Sequence, residues 1–240
     1  MKKRFCFVII TLLLILILGS CNKVTSIRRL QELEEGVSNP NTEAELKDAI
    51  RKYEKRVDDI IIAEGRIGIW YKILGSRYMD QQMYKKALKA FQSALEYYPE
   101  NPNLFYQAGL AASLTAKNSL DFELTGTDIE KKRYFDLAAS AYNRALEIDP
   151  KHSKAVYALS VLYIFELNRP AEAIPILEKI AEWEKKPIDH LFLLGAAYYM
   201  TGENEKAIAV YEHIIEISSS AEKKAKAESN IREIRISGGR

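Results

Sequence analysis

The sequence predicts an all-α fold, a solenoid of stacked helix hairpins with a capping helix at each end. Three observations predict it: a 34-residue unit recurs along the chain, small residues return where two helices must meet, and each helix carries one apolar stripe. The clearest unit holds Tyr71, Leu74, Gly75, Tyr78, Ala87, Phe91, Ala94 and Pro99. Gly75, Ala87 and Ala94 fall where the two helices of a hairpin approach, and a larger side chain would push the axes beyond the usual ~8–10 Å. Tyr71, Leu74 and Tyr78 are spaced i, i+3, i+7 on the first helix, and Phe91 follows Ala87 at i+4 on the second, so each helix has one face to bury. Pro99 donates no N–H and biases Tyr98 away from helical angles, which ends the second helix.

The elements follow in chain order. Residues 1–20 read as an export signal: Lys2, Lys3 and Arg4, an apolar run from Phe5 to Leu18, then small residues before Cys21. The run is shorter than the ~20 residues a spanning helix needs. Residues 21–41 read as a tether that breaks at Gly36 to Asn41, a cluster of turn formers. Thr42 and Glu45 form a capping box opening a helix expected to stop at Gly65, so 42–66 is expected to be an N-terminal capping half repeat.

Four units follow, at 68–101, 102–152, 153–187 and 188–221. The second is interrupted, because Gly109 to Ala138 spans 29 steps where Gly75 to Ala87 spans 12, an excess of 17 residues. Residues 118–127 read as loop, and Thr127 with Glu130 as the cap of an extended second helix running to Ile148. In the third unit Ala173 arrives one residue late, and the turn at Asn168, Arg169 and Pro170 is expected to absorb that residue. The fourth keeps Leu191, Leu194, Gly195, Tyr198, Ala207 and Tyr211. Residues 222–240 are charged and helix-prone, as a solvating C-terminal cap would be, with a frayed tail.

This spacing resembles the tetratricopeptide repeat (TPR), with tyrosine where the pattern usually has tryptophan, over about residues 42–236. The resemblance implies a right-handed superhelix whose concave groove, lined by the first helix of each hairpin, binds protein partners. At the groove positions the chain offers Tyr106, Leu110, Tyr157, Val161, Ile164, Phe165, Phe192, Tyr199 and Met200, an apolar and aromatic set suited to an amphipathic or extended apolar peptide. The clamp that TPR domains use on a free C-terminal carboxylate is not expected. Its five positions hold Lys72, Ser76, Gln107, Lys154 and Ala158, so both asparagines and the arginine are missing.

Leu18, Gly19, Ser20 and Cys21 resemble the lipobox of bacterial lipoproteins, which implies cleavage before Cys21 and acylation of its thiol. Two or three acyl chains, at about 0.8 kcal/mol per buried CH₂, hold a protein on a membrane lastingly. Cys6 would leave with the signal, so the remaining chain has no second cysteine for a disulfide. Loss of Lys2, Lys3 and Arg4 takes the formal charge from +2 to −1, since residues 1–20 hold no acid. A near-neutral chain does not suit a nucleic-acid partner.

No enzyme is expected and no cofactor. His152, His190 and His213 lack a second ligand at metal spacing, and no nucleophile elbow, zinc motif or phosphate-binding loop occurs. Ser220 and Lys223 match the Ser-x-x-Lys spacing of penicillin-binding enzymes without its companion motifs. The sequence therefore points to a lipid-anchored adaptor of the bacterial cell envelope. The alternative is a periplasmic or transporter-associated carrier of a small apolar ligand or lipid, closed by the 118–127 loop; a pocket of several hundred Å³ separates the two.

Overall fold

The computed structural model describes residues 42–118, 127–180 and 182–237, and its regular structure is helical throughout those residues. The export signal, Cys21, the tether and most of the 118–127 loop lie outside the described residues. The helices are α1 (Glu43–Asp80), α2 (Tyr84–Tyr97), α3 (Pro102–Asn118), α4 (Thr127–Ile148), α5 (Ser153–Val161, continuing as a π turn over Leu162–Glu166), α6 (Pro170–Ile180), α7 (Ile188–Met200), α8 (Asn204–Ile217) and α9 (Ala221–Ser237). Two compact units divide the chain at Ile62 and Ala63, and α1 supplies residues to both.

In the first unit the capping box forms as expected. The Glu45 N–H donates to Thr42 Oγ1 at 3.3 Å and the Thr42 N–H donates to Glu45 Oε2 at 3.1 Å. The helix it opens does not stop at Gly65, and this corrects the expected boundary. A C-terminal stop needs Gly65 in a left-handed conformation, and the chain instead continues through it in helix. The Gly65 carbonyl accepts a hydrogen bond from the Tyr98 hydroxyl at 2.7 Å. At Gly68, one turn further on, a Cβ would come within 2.6 Å of the Tyr98 ring. Gly68 thus serves close approach to the end of α2, while a Cβ on Gly65 would meet the Tyr98 hydroxyl at an ordinary 3.5 Å.

The second unit is the stack of hairpins: the end of α1 with α2, α3 with α4, α5 with α6, and α7 with α8. Each of α3 to α9 packs on its neighbours in sequence, and α3, α5 and α7 also meet as successive first helices. One contact recurs at the heart of three hairpins. A Cβ on Gly75, Gly109 or Gly195 would lie 2.6 Å from a ring carbon of Phe91 or Tyr142, or Cζ of Tyr211. Each ring lies on bare backbone of the facing helix, and all three rings are buried. The third hairpin solves the same problem with different sizes: Ser160 stands in the glycine's register and Leu177 in the ring's, and both are buried.

The residue gained by the third hairpin is absorbed in the helix and not in the turn, a second correction. Gln82, Asn168 and Gly202 carry the turn's positive φ (58°, 51° and 81°), and each precedes its alanine (Ala87, Ala173, Ala207) by five residues. The turn is therefore constant. The step from Gly75 to Gln82 and from Gly195 to Gly202 is seven, but from Ser160 to Asn168 it is eight, and the π turn at Leu162–Glu166 lies in that interval.

The C-terminal cap behaves as its sequence suggests. Ala227, Ile231 and Ile234 of α9 are buried while the charged residues between them face out. Ser220, whose spacing to Lys223 looks catalytic, caps this helix by accepting the Lys223 N–H at 3.3 Å.

Candidate functional site

The first helices of successive hairpins leave a cavity of about 550 Å³ between α3, α5 and the start of α7. From α3 come Tyr106, Leu110, Ser113, Leu114 and Lys117, spaced so that one face of a helix looks inward. From α5 come Lys154, Tyr157, Ala158 and Val161 by the same periodicity, and Tyr142 of α4 lies at the base. The rim is closed by the segment before and at the start of α7, including Glu184, Pro187, Ile188 and His190.

Aromatic edges dominate the walls. The Tyr106 ring is 6.1 Å from Tyr142 and 5.5 Å from His152, and Tyr157 meets His190 edge-on at 5.6 Å. Burial pushes the Tyr106 hydroxyl above the ordinary tyrosine value and Tyr142 further still, so both remain neutral. The two buried histidines are structural. The His152 Nδ1 accepts the Ala155 N–H at 3.2 Å and caps α5, which leaves Nε2–H to donate to Asn103 Oδ1 at 3.1 Å. The His190 Nε2 lies 3.2 Å from the Ser153 carbonyl, a donor's position that fixes the neighbouring hairpins to each other.

Charge at the rim is mixed. Lys117 pairs with Glu166 at 2.6 Å, and Asp189 with Lys223 of α9 at 2.7 Å. A site with aromatic walls, small polar hydroxyls and balanced charge suits an apolar or amphipathic segment, not a polyanion. The described residues contain no group of three His, Cys, Asp or Glu able to hold a metal, and no described helix is long and apolar enough to cross a membrane.

Of the nine expected groove residues, four come together here: Tyr106, Leu110, Tyr157 and Val161. Ile164 does not, and its assignment to the groove is corrected: it is 1% exposed and belongs to the core. The π turn is the reason, because the added residue rotates everything after Val161 and brings Glu166 to the cavity instead. Phe165 is exposed but lies outside the lining. Phe192 is half-buried beside Tyr211, with the Lys226 ammonium 5.2 Å from its ring. Tyr199 is packed against the core, and Met200 is exposed at the end of α7. Of the carboxylate-clamp positions, Lys154 and Ala158 line the cavity.

Sequence reasoning missed the rim from Glu184 to Pro187 and the base at Tyr142. A connection between repeats has no periodic signal to reveal it. Tyr142 reads as core because it is core, with only its edge at the cavity.

Three family models match the chain: one described as TPR repeat over residues 75–113, and two as Tetratricopeptide repeat over 130–190 and 190–220. A TPR repeat-containing protein of Borreliella burgdorferi is 27% identical over 199 residues, which is 82% of this chain and 83% of that protein. Among solved structures, that of the MamA protein is similar with a TM-score of 0.58 at 20% identity, covering 73% of this chain and 84% of that one. YrrB, described as a TPR protein with an unusual peptide-binding site, is similar with a TM-score of 0.54 at 17% identity, covering 70% of this chain and 76% of that one. At these identities the structural likeness speaks for the fold.

Proposed function

Since the chain belongs to the tetratricopeptide-repeat proteins, we propose that it is a lipid-anchored adaptor of a bacterial cell envelope, holding an apolar or amphipathic segment of a partner protein between α3, α5 and α7. Proteins of this family are interaction scaffolds, and stacked repeats bind along the concave surface that their first helices form. The observation that carries the reading is the convergence of Tyr106, Leu110, Tyr157 and Val161 from two successive first helices on one cavity. A partner helix with anchors at i, i+3 or i+4, and i+7 can set one or two of them there and run on along the groove. The peptide-binding site ascribed to YrrB, a protein of like fold, is in keeping with this. The membrane half of the proposal is supported by the basic start, apolar run and lipobox-like Leu18 to Cys21.

A second reading has its own support. A volume of about 550 Å³ falls in the range of small-molecule sites, about 300–1,000 Å³, so the cavity also suits a small apolar ligand. One experiment separates these. The full chain, as wild type, Tyr157→Asp and Cys21→Ala, is captured from membranes after brief crosslinking, and co-purified protein and lipid are quantified by mass spectrometry. Tyr157 is 42% exposed, so aspartate there leaves the fold intact. The adaptor reading expects a protein partner reduced about tenfold or more by Tyr157→Asp, as for a central aromatic anchor. The Cys21→Ala chain should lose its acyl mass. Undiminished partner capture by Tyr157→Asp contradicts the groove, and a co-purified lipid lost with that substitution favours the carrier.

A further inference from the structure

We infer that residues 43–62 of α1 pair with the same residues of a second copy of this chain in a parallel, two-stranded coiled coil. Leu46, Ile50, Tyr53, Val57 and Ile60 follow one another in steps of four, three, four and three. That 3.5-residue period, kept over two heptads, matches the seam of two helices that wind about each other, since a straight helix drifts by about 20° per heptad. The seam is open to solvent: Leu46 is 47% exposed, Ile50 56%, Val57 54% and Ile60 52%. Within this unit no second described element covers it. A helix of this length gains most of its stability from packing an apolar face, so an uncovered seam calls for a partner. The next position in the series is Glu64, a carboxylate on the core line, so the uninterrupted apolar run is Leu46 to Ile60.

The residues also specify the occupant. β-Branched Ile50 and Val57 at a, with leucine at d, is the two-strand pattern; here the d positions are Leu46, Tyr53 and Ile60, so the match is at the first of the three. The flanking e and g positions hold Lys47, Glu54 and Ile61, and Ala49 and Arg56. In a parallel pair in register, Glu54 faces Ala49 and Arg56 faces Ile61, whose side chain the arginine stem can cover. The antiparallel register that keeps most of the seam sets Glu54 against Glu54 and Arg56 against Arg56, which is repulsive. Charge therefore selects the parallel self-pair over its reverse. The exposed side chains of two such seams offer on the order of 1,000 Å² in total, the size at which specific interfaces begin. The pairing does not depend on the lipid anchor or on the cavity.

The test uses the full chain in its membranes, with Cys6→Ser throughout and Cys21 left as a common background. Val57→Cys places a thiol at a core position, and Lys55→Cys places one on the opposite, exposed face. On mild oxidation the first should give at least about tenfold more covalent homodimer than the second, because only core positions of a parallel pair face their own copies. Adding Ile50→Asp to Val57→Cys should abolish that dimer while the thermal transition of the repeats is unchanged. Equal crosslinking at the two positions, absence of a homodimer, or a Val57→Cys adduct with a different protein would each overturn the inference.

Discussion

Phe91→Ala is expected to destabilise the chain by about 3–5 kcal/mol, the usual loss for truncating a buried aromatic ring. Phe91 is 0% exposed and its ring lies against Gly75, where no side chain exists to fill the space left behind. The helix backbone cannot collapse into that space without breaking the fit along α1 and α2. For a chain of this size each kcal/mol moves the melting temperature by about 2–4 °C, so a fall of roughly 10 °C is expected by calorimetry or circular dichroism. In a repeat stack the damage should be local, with amide exchange fastest in α1 and α2 and least changed in α8 and α9. Uniform loss of protection along the chain would mean that the hairpins are not the units of stability.

Gly109→Leu is the second large effect, and it tests the same contact from the other side. Leucine is the better helix former by about 0.8 kcal/mol, so propensity alone predicts stabilisation. The Cβ, however, would sit 2.6 Å from Tyr142 Cε1 and 2.7 Å from Cδ1, the body of a ring that is 1% exposed and has nowhere to move. Overpacking of this kind costs about 1–3 kcal/mol before the rest of the side chain is added, so the clash outweighs the propensity. Ser160 and Leu177 of the third hairpin suggest the remedy: a smaller residue in the ring's place. Gly109→Leu with Tyr142→Leu should therefore lose less than the sum of the two single losses, by about 0.5–3 kcal/mol in a double-mutant cycle. Strict additivity would show that the two residues do not touch.

These pairs explain why so much of the fold could be read in advance. Gly75, Ala87, Phe91 and Ala94 are required by helix approach, a constraint that acts residue by residue and so leaves a spacing in the chain. The capping box at Thr42 and Glu45 is legible for the same reason, being local. Gly65 misled because a glycine ends a helix only where it takes a left-handed conformation, and its identity alone does not decide that. The π turn could be counted but not placed. The eight-residue step from Ser160 to Asn168 shows an added residue, while nothing in Leu162 to Glu166 says that the helix and not the turn accommodates it.

The site was legible in part on the same grounds. Tyr106, Leu110, Tyr157 and Val161 precede any irregularity in their helices, so counting along an ideal hairpin finds them. Ile164 and Phe165 lie within the π turn, and the count fails there by one residue. Phe192 sits on α7 at a groove position, but α9 covers that side with Lys226, a contact that depends on a helix more than 30 residues later in the chain.

The claim on which the rest turns is that a partner protein occupies the cavity between α3, α5 and α7. Site-specific photocrosslinking in living cells tests it most directly, with a benzophenone side chain introduced in place of Leu114 in the cavity wall or of Lys89 on the exposed side of α2. The account predicts a discrete protein adduct from position 114 and none of that mass from position 89. The same adduct from both positions, or none from position 114, would contradict it.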